Sequence, residues 1–233
     1  MEYHFLILSL VFSIPGVIIY LIRKDLRIVI LRLMICSIPF AFTEFLFYPD
    51  YWEPKFLFDL ASIIGFGIED FIFVIGLSAF TGTGYAVVFR KTLRPEKVVS
   101  IGNVVLRIGT LGLITLVLTI IQIILLIPMI YGALITMQTA ALGITRIRRD
   151  LLKPSVLGGI ISAIIYLVLC WIMLLFIPDI FQLNWKLEAF SASYVLAVPL
   201  EELLYGFAAG SIASVFYPYV FSCRYVPIRV SNE

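Results

Sequence analysis

Charge is scarce in this chain, and histidine and cysteine are scarcer. Of 233 residues only 14% are charged, while 62% are hydrophobic; a soluble domain carries about 25% charged residues. Mean hydropathy is +1.08, and apolar runs of roughly 18 or more residues recur along the sequence. A single water-soluble core is thereby excluded, and a polytopic membrane protein is expected. The sole histidine is His4, and the cysteines Cys36, Cys170 and Cys223 are scattered. That leaves no metal-ligand spacing and no disulfide framework, so the cysteines read as small apolar packing residues. A net charge of +2 is too weak to argue for a nucleic-acid partner.

What the chain does have is a series of apolar segments with charged punctuation. Seven spans are expected, over residues 5–22, 28–48, 64–89, 104–126, 129–147, 156–177 and 196–221. The first is longer than a signal-peptide core and lacks a basic leader, Glu2 being the only side-chain charge before it, so it reads as a retained span. The fourth and fifth are separated by Ile127-Pro128, where proline removes a backbone donor.

The connections alternate in charge. Arg23-Lys24-Asp25-Leu26-Arg27, Arg90 through Lys97, and Arg146 through Lys153 are basic, as is the tail with Arg224 and Arg229. The other connections carry Asp50, Glu53, Asp59, Asp179 and Glu188, against only Lys55 and Lys186. Basic loops stay in the cytosol. The expected location is therefore the cell membrane, with the amino terminus outside and the carboxyl terminus cytoplasmic.

Against this background Pro199-Leu-Glu-Glu-Leu-Leu-Tyr205 stands out, because it puts adjacent carboxylates in an apolar run that meets no basic residue before Arg224. A charge inside a span costs roughly 2.5–3.5 kcal/mol on insertion scales and is a functional-site hypothesis by default. The pair has an echo 132 positions earlier (201 − 69) in Glu69-Asp70, and at the same offset Tyr85 matches Tyr217 and Phe89 matches Phe221. Arg23-Lys24-Asp25-Leu26 resembles Arg148-Arg149-Asp150-Leu151; Trp52 precedes Glu69 by 17 residues, and Trp185 precedes Glu201 by 16. Spans one to three then match spans five to seven, and span four restores the orientation as a linker. The expected architecture is an all-α integral membrane protein of two parallel three-helix repeats, residues 1–98 and 128–233, joined by a linker helix in 99–127. Both acidic pairs are placed about two turns in from the outer ends of their spans, with Glu44 near enough to join them.

Carboxylates at that depth with no basic partner cannot all ionise cheaply, so some stay neutral and can donate a proton. Neighbours on a helix point about 100° apart, so Glu201 and Glu202 cannot share one job. Phe71, Phe73, Tyr205 and Phe207 surround the acids, and an aromatic face stabilises a cation by roughly 0.5–2 kcal/mol. Acid plus aromatic wall suits protonation of an alkene and passage through a carbocation. Plainer readings exist: helix-to-helix hydrogen bonding of the acids to Ser193, Ser211 or Thr43, or a proton- or cation-coupled transporter. Tyr51, Trp52 and Trp185 read as interfacial belt residues.

Pro199, Glu201, Glu202 and Tyr205, with Glu69, Asp70, Phe71, Phe73 and Tyr51-Trp52-Glu53-Pro54 in the first half, resemble the cofactor-free integral-membrane lycopene cyclases. These are the heterodimeric bacterial enzymes and the fused archaeal and fungal forms, marked by a three-span domain occurring twice, each ending in a Pro-x-Glu-Glu-aromatic helix. The first half departs in having Gly67 for proline and Asp70 for the second glutamate. The resemblance implies an isomerase of the lycopene beta-cyclase kind that needs no cofactor. An acid protonates the terminal double bond of lycopene or a similar linear carotenoid, the cation closes a ring, and a carboxylate removes a proton. It assigns Glu201, Glu202, Glu69 and Asp70 as the acid–base set, without saying which donates. It places Phe71, Phe73, Tyr205, Phe207, Glu44 and Pro199 around the substrate. It implies a cleft open to the lipid bilayer and adds other carotenoid-pathway enzymes as candidate partners. A carotenoid hydratase, which would use the same cation, stays open as an alternative.

Other membrane families fit less well. Proteases that process prenylated proteins need Glu-Glu-x-x-x-Arg and membrane histidines, whereas position 206 is Gly. Rhodopsins need a lysine in the seventh span, and there is none. Gly82-Thr-Gly84 lacks the third glycine and preceding strand of a dinucleotide site.

Overall fold

The computed structural model describes residues 3–186 and 191–228. Glu2, Glu188 and Arg229, assigned above to loops and termini, lie outside the described residues. Among those described, seven helices reach 14 residues or more: α1 His4–Ile22, α2 Arg27–Ala41, α3 Ile68–Thr81, α4 Ile101–Ile124, α5 Met129–Ile147, α6 Leu152–Phe176 and α7 Leu200–Val220. Among the described residues six segments are long and apolar enough to cross a membrane: His4–Ile22, Lys24–Leu46, Ile68–Val88, Ile101–Ile124, Arg149–Phe176 and Leu200–Val220. This is consistent with an all-α membrane protein. Helix α5, expected as a span, is long enough but not among them; Thr136, Gln138, Thr139, Thr145 and Arg146 dilute its apolar character.

Boundaries follow local chemistry. Ser100 caps α4, its Oγ accepting from Asn103 N at 3.3 Å, as serine does at helix starts. The α4–α5 break falls where expected, with Leu126 in the left-handed region and Pro128 preceding α5. Pro199 immediately precedes α7, its fixed φ of −54° leading into the first turn. The acidic pairs therefore sit in the first turns of α3 and α7, and not two turns in. There the helix dipole favours negative charge, which offsets part of the burial cost.

Two tight helix pairs organise the interior. Gly16 of α1 faces Gly76 and Ala79 of α3, while Gly158 and Gly159 of α6 face Gly210, Ser211 and Ser214 of α7. Small residues allow this close approach where the apolar effect offers no drive between helices. Helix α4 lies outside these pairs: only its Gln122 is buried, and that side chain donates to Thr136 Oγ1 of α5 at 3.1 Å.

The ends of the bundle are tied as well. At the acidic end, Glu53 N donates to Asn184 O at 2.7 Å and Lys186 N to Tyr51 O at 3.0 Å. At the basic end, strands β1 Lys91–Pro95 and β2 Cys223–Pro227 pair antiparallel, a feature with no counterpart in the sequence expectations. Arg23 holds Asp25 and reaches Lys91 O at 2.6 Å; Arg148 holds Asp150 and reaches Cys223 O at 3.1 Å.

Candidate active site

A cavity at the acidic end brings Glu44, Asp70 and Glu202 together, walled by Phe73, Tyr205, Tyr51, Trp52, Tyr166 and Trp185. Its lining also includes Phe40 of α2, which is 54% exposed.

Glu202 is held by three donors. Tyr51 Oη and Trp185 Nε1 donate to its Oε1 at 2.6 and 2.9 Å, and Tyr166 Oη donates to its Oε2 at 2.5 Å. Burial, then the adjacent Glu202, pushes the Tyr51 phenol well above its ordinary value, so it stays a donor. Glu44 accepts from Trp52 Nε1 at 2.5 Å. Tyr51, Trp52 and Trp185 are only 5%, 9% and 8% exposed. They are polar supports of the acids, not belt residues. Two of the expected partners of the acids bond elsewhere: Thr43 Oγ1 donates to Phe40 O at 2.7 Å and Ser193 Oγ to Ser191 O at 3.2 Å.

The members of each acidic pair divide in the same way. Glu69 Oε1 accepts from Leu57 N at 2.6 Å, and Glu201 Oε1 accepts from Ser191 N at 3.1 Å and Tyr131 Oη at 2.9 Å. Each first member thus latches the loop leading into its own helix. The second members, Asp70 and Glu202, face the cavity. This is the 100° separation of helical neighbours made concrete.

The departure at Gly67 has a physical reason. Gly67 N donates to Asp70 Oδ2 at 2.7 Å, so Asp70 caps its own helix from the third position. A proline there would have no proton to donate. In α7 the equivalent position is Pro199, and Glu202 is left for the aromatic donors.

Of the substrate-facing residues expected from sequence, Phe73, Tyr205 and Glu44 line the cavity, whereas Phe71, Phe207 and Pro199 do not. Phe71 packs edge-on against Phe42 and Phe66. Glu69 and Glu201 also lie outside the cavity lining. Nothing in the sequence marks Tyr131 and Tyr166, since a tyrosine on an apolar helix resembles core filler; their bonds to Glu201 and Glu202 appear only when α5 and α6 pack against α7. Among the described residues no ion pair reaches any of the five carboxylates, and no cluster of His, Cys, Asp and Glu is arranged to hold a metal.

Residues 113–220 match the family model described as lycopene cyclase. That stretch belongs to the lycopene cyclase family. It runs from the middle of α4 to the end of α7 and contains Tyr131, Tyr166, Trp185, Glu201, Glu202 and Tyr205. The match supports, in general terms, a carotenoid cyclase function. No curated protein and no solved structure matches the chain.

Proposed function

We propose that this protein is a membrane-embedded lycopene cyclase of the beta type, closing six-membered rings at the ends of lycopene without net redox change. The observation that carries the reading is the cavity itself, in which Glu202 from the family-matched half meets Glu44 and Asp70 among aromatic walls.

The reaction needs a proton donor, a wall that tolerates a cation, and a proton acceptor. Glu44 Oε2 and Asp70 Oδ1 make no hydrogen bond among the described residues, which leaves one oxygen of each for the cavity. We assign the donor to this pair. Its proton adds to the terminal double bond, and the internal double bond attacks the tertiary cation to form the ring carbon–carbon bond. Phe73 and Tyr205 stabilise the charge through their faces. Glu202, with three donors fixing its orientation, opposes the cation and takes the ring proton, leaving the new double bond. Proton gained and proton lost balance, so the product is an isomer. Glu69 and Glu201 serve as positioning residues. A cofactor has no step in this scheme.

The duplication and orientation proposed from sequence fit the same reading. The matching Arg23–Asp25 and Arg148–Asp150 pairs, the facing Trp52 and Trp185, and the parallel division of the acids support two repeats over 1–98 and 128–233 with α4 as linker. With basic loops inward, the cavity lies toward the outer leaflet, and Phe40 marks its opening to lipid.

The test is cyclisation by purified protein in liposomes, with no added cofactor, in D2O. The acid mechanism predicts one deuterium retained per ring formed. Rings free of deuterium would rule out protonation by an exchangeable acid.

A further inference from the structure

At the end of the bundle away from the acids, strands β1 and β2 and the start of α6 enclose a second pocket of about 360 Å³, within the usual range for small-ligand sites. Lys91, Arg148, Lys153 and Arg224 line it with Glu96 and Asp150, four positive charges against two negative, a net +2. Both carboxylates are committed to one cation. Asp150 takes Arg148 at 2.8 and 2.7 Å, and Glu96 lies 3.3 Å from the same guanidinium. Lys91, Lys153 and Arg224 have no carboxylate within 4.0 Å among the described residues. Three of the four cations lining the cavity thus have no carboxylate partner among the described residues.

Two tyrosines also line the cavity. Tyr85 and Tyr225 pack edge to face at 4.9 Å, and Tyr225 Oη donates to Ser214 O of α7 at 2.8 Å. The pocket also lies beside the ends of the apolar segments Ile68–Val88, Arg149–Phe176 and Leu200–Val220, and basic pockets between membrane helices take phosphate groups. We propose that this pocket binds a phosphate group, carried by an anionic lipid or by a free phosphate. An anion there would accept charge-assisted bonds from Lys91, Lys153 and Arg224.

The experiment is thermal unfolding of the purified protein in detergent at fixed ionic strength. Phosphatidic acid, phosphatidylcholine or inorganic phosphate is added in separate arms. Phosphatidic acid should raise the midpoint by several degrees and phosphatidylcholine should not; a matching rise with inorganic phosphate would support the site and identify the free ion as sufficient. The combined Lys91→Gln, Lys153→Gln, Arg224→Gln variant should lose the rise. Lys153→Gln alone should weaken it, and Lys24→Gln, an exposed cation outside the pocket, should leave it intact. No rise with either phosphatidic acid or phosphate, or an equal rise in both the triple and the Lys153→Gln variants, would overturn the proposal. Ring formation is not part of this readout, so its outcome is separate from that of the cyclase reading.

Discussion

Tyr166 Oη donates to Glu202 Oε2 at 2.5 Å across the α6–α7 contact, and this bond links helix packing to the cavity. A hydrogen bond to a charged group contributes about 1.5–3 kcal/mol. Tyr166→Phe removes the donor and keeps the ring. It should lower ring formation by roughly 10–100-fold, with little change in protein yield, measured as cyclic carotene formed per protein.

The glycine beneath that tyrosine should be equally sensitive. A methyl group at Gly206 would lie 2.8 Å from Tyr166 Cβ and 2.9 Å from its Cγ. Gly206→Ala must therefore push Tyr166 away from Glu202 or part the two helices. Overpacking of this kind costs about 1–3 kcal/mol. A lowered unfolding midpoint in detergent and reduced activity together are expected; an unchanged midpoint would show that the contact is looser than described.

Asp70 does two jobs that substitution can separate. Asparagine keeps an oxygen for Gly67 N but has no acidic proton, so Asp70→Asn should abolish or severely reduce ring formation at near-native stability. Asp70→Ala should lose activity and also about 0.5–2 kcal/mol of stability, the usual cost of a lost cap. Comparing unfolding midpoints of the two variants checks the capping role.

Much of this was legible in the sequence, and the exceptions have identifiable causes. The acidic pairs and their 132-residue offset are visible because carboxylates in apolar runs are rare. Which member of each pair turns inward is not visible, since it depends on the rotation of α3 and α7 about their own axes. The depth of the acids differs from expectation for a related reason: Phe66 and Ala197 are apolar enough to extend a span, yet the helices start only at Ile68 and Leu200. Trp52 and Trp185 stand out by their spacing and read as interfacial from sequence, because a tryptophan near a span end usually lies there. Their indole protons instead meet Glu44 and Glu202. The strands at 91–95 and 223–227 carry no alternation long enough to read, and form by pairing across the ends of two helices.

The division of labour within each pair gives a further contrast. Glu69→Gln keeps Oε1 as acceptor for Leu57 N, and should retain ring formation within about tenfold, the scale of one net hydrogen bond. Glu69→Ala should free the loop around Phe56 and Leu57, raising its protease sensitivity. Limited proteolysis of the two variants measures this directly.

The central claim is that Glu202 acts on the substrate while Glu201 holds the scaffold. Its most direct test is pigment analysis of lycopene-accumulating cells expressing the wild-type chain, Glu201→Gln or Glu202→Gln at matched protein levels. The account predicts cyclic carotenes from the wild type and from Glu201→Gln, and only lycopene from Glu202→Gln. Lycopene left unchanged by abundant, folded wild-type protein, or rings still formed by Glu202→Gln, would contradict it.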